Sequence, residues 1–500
     1  MKTEAGCVIF PEKFFTGNIR IMSHSRRDFL RILSWGTAAC TAPGLLGTWG
    51  CRSLDTPPPN VIIIFCDDLG YGDIGCFGHP SIRTPHIDRM AAEGQKWTSF
   101  YVAACVCTPS RAALLTGRLP IRSGMTSPVR RVLFPDSAGG LPQSEFTIAE
   151  ALKAQGYATV CIGKWHLGHL PPHLPTRHGF DTYFGIPYSN DMDPVSGKGL
   201  EAFDDPRYEY WNVPLMRDEA VIERPADQNT LTRRYTEEAV RFIQDNRAAP
   251  FFLYLAHTFP HVPLFRSQEF SGASLRGLYG DVIEEIDWST GRILDTLRRL
   301  NLAENTLVVF TSDNGPWLSY EQQGGTAGLL RGGKGTTWEG GMRVSALFWW
   351  PGRIPPGVKM DMGSTLDLLP TICRAAGAYL PPDLVLDGFD LGPTLRGEAP
   401  GPHRLMFFYR EAELFAVRKG PYKAHFVTKE SYVPDLQERR YDTPLLFQLE
   451  HDPSERFDLA AQYPEVIADI QAEVARHRAG LEPVEDQLAK LIPDDSPDLK

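Results

Sequence analysis

Asn60-Val61-Ile62-Ile63-Ile64-Phe65-Cys66-Asp67-Asp68-Leu69-Gly70 is the stretch that decides the fold. Its first half is a continuous apolar, β-branched run, the pattern of a strand buried on both faces in a parallel sheet. Its second half sets two carboxylates immediately beyond the strand end. The same order of events recurs along the chain. Tyr157 to Ile162 reads as a strand and runs into Gly163-Lys164-Trp165-His166. Phe251 to Leu255 runs on to His257 and His261, and Thr306 to Phe310 runs into Ser312-Asp313-Asn314. Helix signals lie between these strands: Thr147 with Glu150 as a capping box and Gly156 as a stop, then about Leu231 to Asn246 and about Asp281 to Leu300. Strands alternating with helices predict an α/β fold, a large and mostly parallel sheet sandwiched by helices. Ligands of such sheets sit at the carboxyl ends of the strands. Asp67, Asp68, Lys164, His166, His261, Asp313 and Asn314 are therefore expected along one sheet edge.

The texture changes after about residue 395. Leu405 to Tyr409, Leu414 to Val417, Lys423 to Val427 and Leu445 to Leu449 read as strands of a smaller C-terminal antiparallel sheet, covered by a helix over Pro464 to Ala479. The expected organisation is an export signal and linker over 1–59, an α/β catalytic domain over 60–395, an α+β domain over 396–490 and a tail over 491–500. At the other end, Ser25-Arg26-Arg27-Asp28-Phe29-Leu30-Arg31 precedes a weakly apolar stretch from Ile32 to about Trp49, the pattern of a twin-arginine export signal. Pro43 and several glycines make that stretch a poor permanent membrane span. Met22 is an alternative start, and Gly50-Cys51 a candidate lipidation site in which Thr48 departs from the usual leucine. The expectation is export to the periplasm or cell surface through the twin-arginine machinery, with lipid anchoring at Cys51 left open.

Composition narrows the function classes. Of 500 residues, 42% are hydrophobic and 22% charged, which is ordinary globular usage and argues against a disordered chain or a coiled coil. The charge balance of 51 basic against 61 acidic residues gives -10, a poor match to nucleic-acid binding. A small anionic substrate is not excluded, because a local cationic pocket can sit in an acidic protein. The 9 cysteines are odd in number and irregularly spaced, so they are neither a disulfide framework nor a zinc site.

Residues 107–118 carry the chemistry: Cys107-Thr108-Pro109-Ser110-Arg111-Ala112-Ala113-Leu114-Leu115-Thr116-Gly117-Arg118. Locally, Thr108 suits a helix cap, Pro109 the first helical position and Gly117 the end. Cys107 then lies just before a helix N-terminus, where free N–H groups favour an anion, and Arg111 adds a cation one turn in. The segment resembles the signature of the type I sulfatases, Cys-x-Pro-Ser-Arg followed by Leu-Thr-Gly-Arg, arylsulfatase A-like members of the alkaline phosphatase superfamily. The resemblance extends from about Asn60 to Leu459, where Leu446-Phe447-Gln448-Leu449-Glu450-His451-Asp452-Pro453 looks like that family's C-terminal Asp-Pro stretch. Ser345 departs from it, where relatives carry Pro, and puts a local turn in doubt.

The resemblance implies that Cys107 is converted by a formylglycine-generating enzyme to 3-oxoalanine (formylglycine), whose hydrate is the nucleophile. It implies a metal site of Asp67, Asp68, Asp313 and Asn314 with residue 107, holding Ca²⁺ in preference to Mg²⁺; all-oxygen ligands suit either ion over zinc. It makes Arg111, Lys164, His166, His261 and Lys334 catalytic. Ser189, in Gly-Ile-Pro-Tyr-Ser-Asn-Asp, joins Lys164, His261 and Lys334 in binding sulfate. The implied reaction is hydrolysis of an aryl or carbohydrate sulfate monoester to an alcohol and sulfate. One diol hydroxyl attacks sulfur, and His166 then takes a proton from the other to release sulfate. Taken singly, each residue has an ordinary reading: a capped turn for the Asp pair, a surface lysine for Lys164 or Lys334, a packing histidine for His166. His169 and His257 are candidates for a substrate pocket, and Trp317 and Trp338 for stacking on a ring or for packing. Two rivals stand beside hydrolysis of sulfate: a phosphonate or phosphate ester hydrolase of the same superfamily, and a catalytically silent protein that binds sulfated glycans. Specificity is expected in the loops over 185–225 and 315–335.

Overall fold

The computed structural model describes residues 57–195, 201–431 and 437–493. The paired arginines, Met22, Cys51 and the last residues of the tail lie outside that set.

The larger sheet has ten strands in the order β10-β2-β9-β8-β1-β7-β3-β4-β5-β6. They are β1 (Asn60–Cys66), β2 (Gln95–Tyr101), β3 (Ala158–Gly163), β4 (Thr182–Gly185), β5 (Leu215–Arg217), β6 (Ala220–Glu223), β7 (Phe251–Ala256), β8 (Thr306–Ser312), β9 (Arg343–Trp349) and β10 (Gly357–Ser364). The centre is parallel: β1 pairs with β7 and β8, and β3 with β7 and β4. β9 runs against β8 and β2, and β5 against β4 and β6.

Why β1 lies at the centre follows from its residues. Val61, Ile63 and Phe65 point into one core and Ile62, Ile64 and Cys66 into the other. A strand apolar on both faces is stable only where both faces are covered, and each side chain so buried contributes about 1.5–3 kcal/mol. The covering helices are α1 (Pro85–Glu93), α2 (Cys107–Thr116), α3 (Ile148–Lys153), α4 (Leu231–Asp245), α5 (Leu278–Arg299) and α6 (Leu368–Ala376). Apolar residues of α2, α3 and α6 fill the first core, and those of α1, α4 and α5 the second. The expected sandwich is therefore present.

The second sheet is antiparallel, in the order β11-β12-β13-β14. Its strands are Leu405–Arg410, Glu413–Lys419, Tyr422–Thr428 and Arg439–Gln448, so the last begins earlier than its apolar run indicated. Helix α7 (Pro464–Ala479) lays Ile467, Ile470 and Val474 against Val417, Ala424 and Leu446.

Thr147 and Glu150 form the expected capping box. Their helix ends at Lys153, however, short of Gly156, whose φ of +81° turns the chain toward β3. Ser345 disturbs no turn: it lies buried inside β9.

Candidate functional site

Strand ends β1, β3 and β8 converge because the strands are neighbours through β7 and in register. Where each strand stops, the backbone bends sharply. Asp68 and His166 adopt φ of 64° and 58°, a left-handed conformation rare for such residues and common at functional sites. The bends bring Asp67, Asp68, Lys164, His166, Asp313 and Asn314 together, all buried.

Helix α2 enters beside them. Cys107 is its first residue, not the residue before it, and Val106 occupies the cap. Thr108 makes no cap: its hydroxyl donates to the His166 carbonyl and accepts from Leu133 N–H, tying the helix start to the β3 edge. Gly117 ends the helix in the left-handed conformation, as expected. Arg111 is buried one turn in. It donates to the Lys164 carbonyl and to Asp313 Oδ2, both at 2.9 Å, and pairs with Asp67 Oδ2 at 3.1 Å.

Asp67 also pairs with the Lys164 ammonium. Burial alone would raise its carboxyl, but Lys164 and Arg111 outweigh it and hold Asp67 ionised far below the usual range. Asp68 accepts from Asn314 Nδ2 at 2.7 Å and from Lys334 Nζ at 2.8 Å, yet burial still raises it. Asp313 is pushed up to about 7 by burial and by the neighbouring Asp67 charge. Three carboxylates gathered in a dry pocket are a configuration that a cation relieves. The fit is good: Asp67 Oδ1 and Asn314 Oδ1 are buried acceptors with no donor, and hard oxygen donors suit Ca²⁺ or Mg²⁺. His261 joins this group, its ring within 4.8 Å of donor atoms of Asp67 and Asp68.

Above the carboxylates lies a narrow cavity. Cys107, His166, Ser189, His261, Trp317 and Lys334 line it, so it gathers all the residues expected to act on sulfate except Lys164 and Arg111, which support it from below. Lys164 Nζ donates to Ser189 Oγ at 3.0 Å, and Ser189 lies 3.4 Å from His261 Nε2. Burial raises the Cys107 thiol while Lys164 and Lys334 pull it down. His166 Nε2 lies 2.8 Å from the Leu133 carbonyl, which makes it the protonated nitrogen and leaves Nδ1, buried and without a partner, as the acceptor. Burial and the Lys164 charge depress His166 well below the usual histidine value, so it is neutral at pH 7. His261 is depressed for the same reasons, with Lys334 the nearer cation.

Three expected pocket residues are elsewhere. His257 lies fully buried against Ser289, because it belongs to the helix-covered side of the sheet. Trp338 packs on His425 and Phe447 of the second sheet. His169 packs edge-on against Tyr188. Conversely, Asp191, Met192 and Phe134 line the cavity although the sequence reading passed over them. Asp191 stands two positions after Ser189 in the same Ser-Asn-Asp run, the only signal that could have found it.

Comparison with known proteins agrees with this geometry. A sulfatase family model matches residues 59–378, and a model of the C-terminal region of aryl-sulfatase matches 401–498. The chain is 44% identical to human arylsulfatase A over 83% of its own length and 86% of that protein. It is 42% identical to mouse N-acetylgalactosamine-6-sulfatase over 90% of its length and 93% of the relative. The crystal structure of Ps i-CgsB in complex with k-i-k-neocarrahexaose superposes with a TM-score of 0.73 at 30% identity, over 87% of this chain and 95% of that one. The relatives hydrolyse sulfate esters, and neither rival reading is favoured. On this agreement of fold, signature and strand-end residues, the chain belongs to the sulfatase family and is a sulfuric ester hydrolase.

Proposed function

We propose that the chain hydrolyses a carbohydrate sulfate monoester using formylglycine at position 107. The observation that carries this reading is Cys107 in the first turn of a buried helix, in a cavity it shares with His166, His261 and Lys334. Cys107 stands there for the hydrated aldehyde, which supplies one oxygen to attack sulfur and a second hydroxyl whose deprotonation frees the sulfate. A divalent cation, Ca²⁺ by the family resemblance, would be held by Asp67, Asp68, Asp313 and Asn314 and would supply Lewis-acid stabilisation of sulfuryl charge.

The chain's own residues divide the remaining work. Lys334 stays charged, its pKa raised by Asp68, and holds the sulfate with Ser189. Lys164 and Arg111 keep Asp67 ionised and carry positive charge beneath the nucleophile. His166, neutral and with a free Nδ1, is the base for the second hydroxyl. His261 holds its Nδ1–H on the Val262 carbonyl and turns an unprotonated Nε2 to the cavity beside Ser189, so the charged Lys334 ammonium is the group that passes a proton to the departing alcohol. The carbohydrate part rests on the sugar-sulfate relative and on the oligosaccharide-bound neighbour named above.

Export fits the paired arginines ahead of the apolar stretch, and among the described residues no helix is long and apolar enough to cross a membrane. A folded precursor carried by twin-arginine export would allow the cytoplasm to modify Cys107 first.

The test is a peptide mass across Cys107, in protein from a host that modifies such cysteines, together with sulfate release from a sugar sulfate. The expected peptide has exchanged H₂S for oxygen. An unmodified cysteine with no release overturns the reading in favour of a silent glycan binder.

A further inference from the structure

Sulfate accepts hydrogen bonds and donates none, so every group meant for it should be a donor or a cation. Lys334 and the Ser189 hydroxyl satisfy that rule, and the two neutral histidines present uncharged ring nitrogens that repel a sulfate oxygen far less than a carboxylate does. Asp191 breaks it. It lines the same cavity, and its Oδ1 is buried with no protein donor. A carboxylate placed there repels a sulfate oxygen, so it is arranged for the other half of the substrate. Burial raises the Asp191 carboxyl, against the pull of Lys164, Lys334 and the Ser189 hydroxyl, so its unmet acceptor costs stability until a donor covers it.

Trp317 is the complement. It also lines the cavity, and its indole Nε1–H is buried with no protein acceptor. The ring is fixed in place by Lys334 Nζ, 4.1 Å from its centroid, and by Tyr320 edge-on at 4.7 Å. One wall of the cavity therefore offers an acceptor that needs a donor, and another offers a donor that needs an acceptor.

Resting on the sulfate ester hydrolase reading of the same cavity, we infer that Asp191 and Trp317 are specificity-determining residues that read free hydroxyl groups on the carbons next to the ester. A hydroxyl donates to Asp191 and accepts from Trp317. A pyranose sulfated at a ring hydroxyl supplies such a hydroxyl on an unsubstituted neighbouring carbon, whereas a 6-sulfate does not, because its neighbour C5 carries the ring oxygen. A plain aryl or sterol sulfate supplies neither and leaves both buried groups unmet, which is the arrangement by which a site rejects an analogue lacking a polar group.

The measurement compares kcat/KM for trans-2-hydroxycyclohexyl sulfate with that for cyclohexyl sulfate, two esters that differ by one neighbouring hydroxyl. The wild-type enzyme is expected to prefer the hydroxylated ester by about 10- to 100-fold. Asp191→Ala and Trp317→Phe are each expected to shrink that ratio about tenfold, and Asp191→Asn to retain part of it, because the carboxamide keeps an acceptor. Trp317→Phe removes the N–H while keeping an aromatic ring, so it decides the matter even where Asp191→Ala fails to fold. A wild-type ratio near one, or an unchanged ratio in Trp317→Phe and a folded Asp191 variant, overturns the inference and leaves the hydrolase reading standing. A chain with modified Cys107 that turns over neither ester, nor any sugar sulfate, overturns both.

Discussion

The Arg111 guanidinium donates to Asp313 Oδ2 at 2.9 Å with both side chains fully buried. The same nitrogen reaches Asp67 Oδ2 at 3.1 Å. A buried arginine between two carboxylates is costly to desolvate, but removing it leaves uncompensated charge, which typically costs about 3–5 kcal/mol. Arg111→Met is therefore expected to lower stability by about that amount in chelator. Saturating Ca²⁺ should recover part of the loss, since a cation then balances the same carboxylates. Urea unfolding with and without the ion checks this; equal losses in both conditions count against a shared site.

The carboxylate cluster predicts the effect of metal removal on the wild-type chain. Asp67, Asp68 and Asp313 stand together with unmet oxygens on Asp67 and Asn314. A ligand that binds only the folded state stabilises it by about 2.7 kcal/mol at a concentration of 100 Kd. Adding Ca²⁺ to chelated protein should raise Tm and restore sulfate release together. Asp313→Asn, which keeps the shape but removes a charge, should weaken the Tm response to Ca²⁺ at least tenfold in midpoint concentration. A calcium titration followed by thermal melts reads both.

A second ionic cluster joins the two sheets. Lys423 Nζ on β13 lies 2.9 Å from Glu339 Oε1 and 3.3 Å from Glu455 Oε1, all fully buried, and His425 bonds Glu455 at 2.6 Å. Glu339 is held down to about 2, burial being outweighed by Lys423 and Arg343. Glu455 Oε2 also accepts from Glu339 N–H, just beyond the loop that carries Lys334. Lys423→Met should cost about 3–5 kcal/mol by stranding two carboxylates. It should also raise KM for the sulfate ester, as the Lys334 loop loses its anchor. Steady-state kinetics on folded protein separate this from simple instability; an unchanged KM would confine the cluster to a structural part.

Much of this site was legible because strand ends are where sequence pattern and chemistry coincide. The runs before Asp67, Lys164 and Asp313 are continuous and apolar, so their ends could be placed to within a residue or two. The flanking strands were not legible for the opposite reason. β10 reads Gly-Val-Lys-Met-Asp-Met-Gly-Ser, with Val358 62% and Met360 79% exposed, the mixed pattern of an edge strand rather than of a core strand. His257 misled because a histidine just past a strand can face either layer, and which layer is decided by helices packed there. Asp191 carried no motif, and its meaning came only from burial beside Ser189.

His178 gives the pH prediction with the simplest sign. It is fully buried against Trp165, neither ring nitrogen has a partner, and burial lowers its pKa to about 4. In the unfolded chain a histidine titrates near 6.5. Above pH 6.5 both states are neutral and this residue makes stability independent of pH. Between 6.5 and 4 the unfolded chain binds a proton that the folded chain refuses, so the folded state loses ground as pH falls, by about 3 kcal/mol at pH 4. His178→Phe fills similar space without the titrating group. Its unfolding free energy should match or exceed that of the wild type at pH 5 relative to the difference seen at pH 8, and its stability curve should be flatter between the two. Parallel slopes for the two chains across that window would mean that His178 finds a proton acceptor in the folded state.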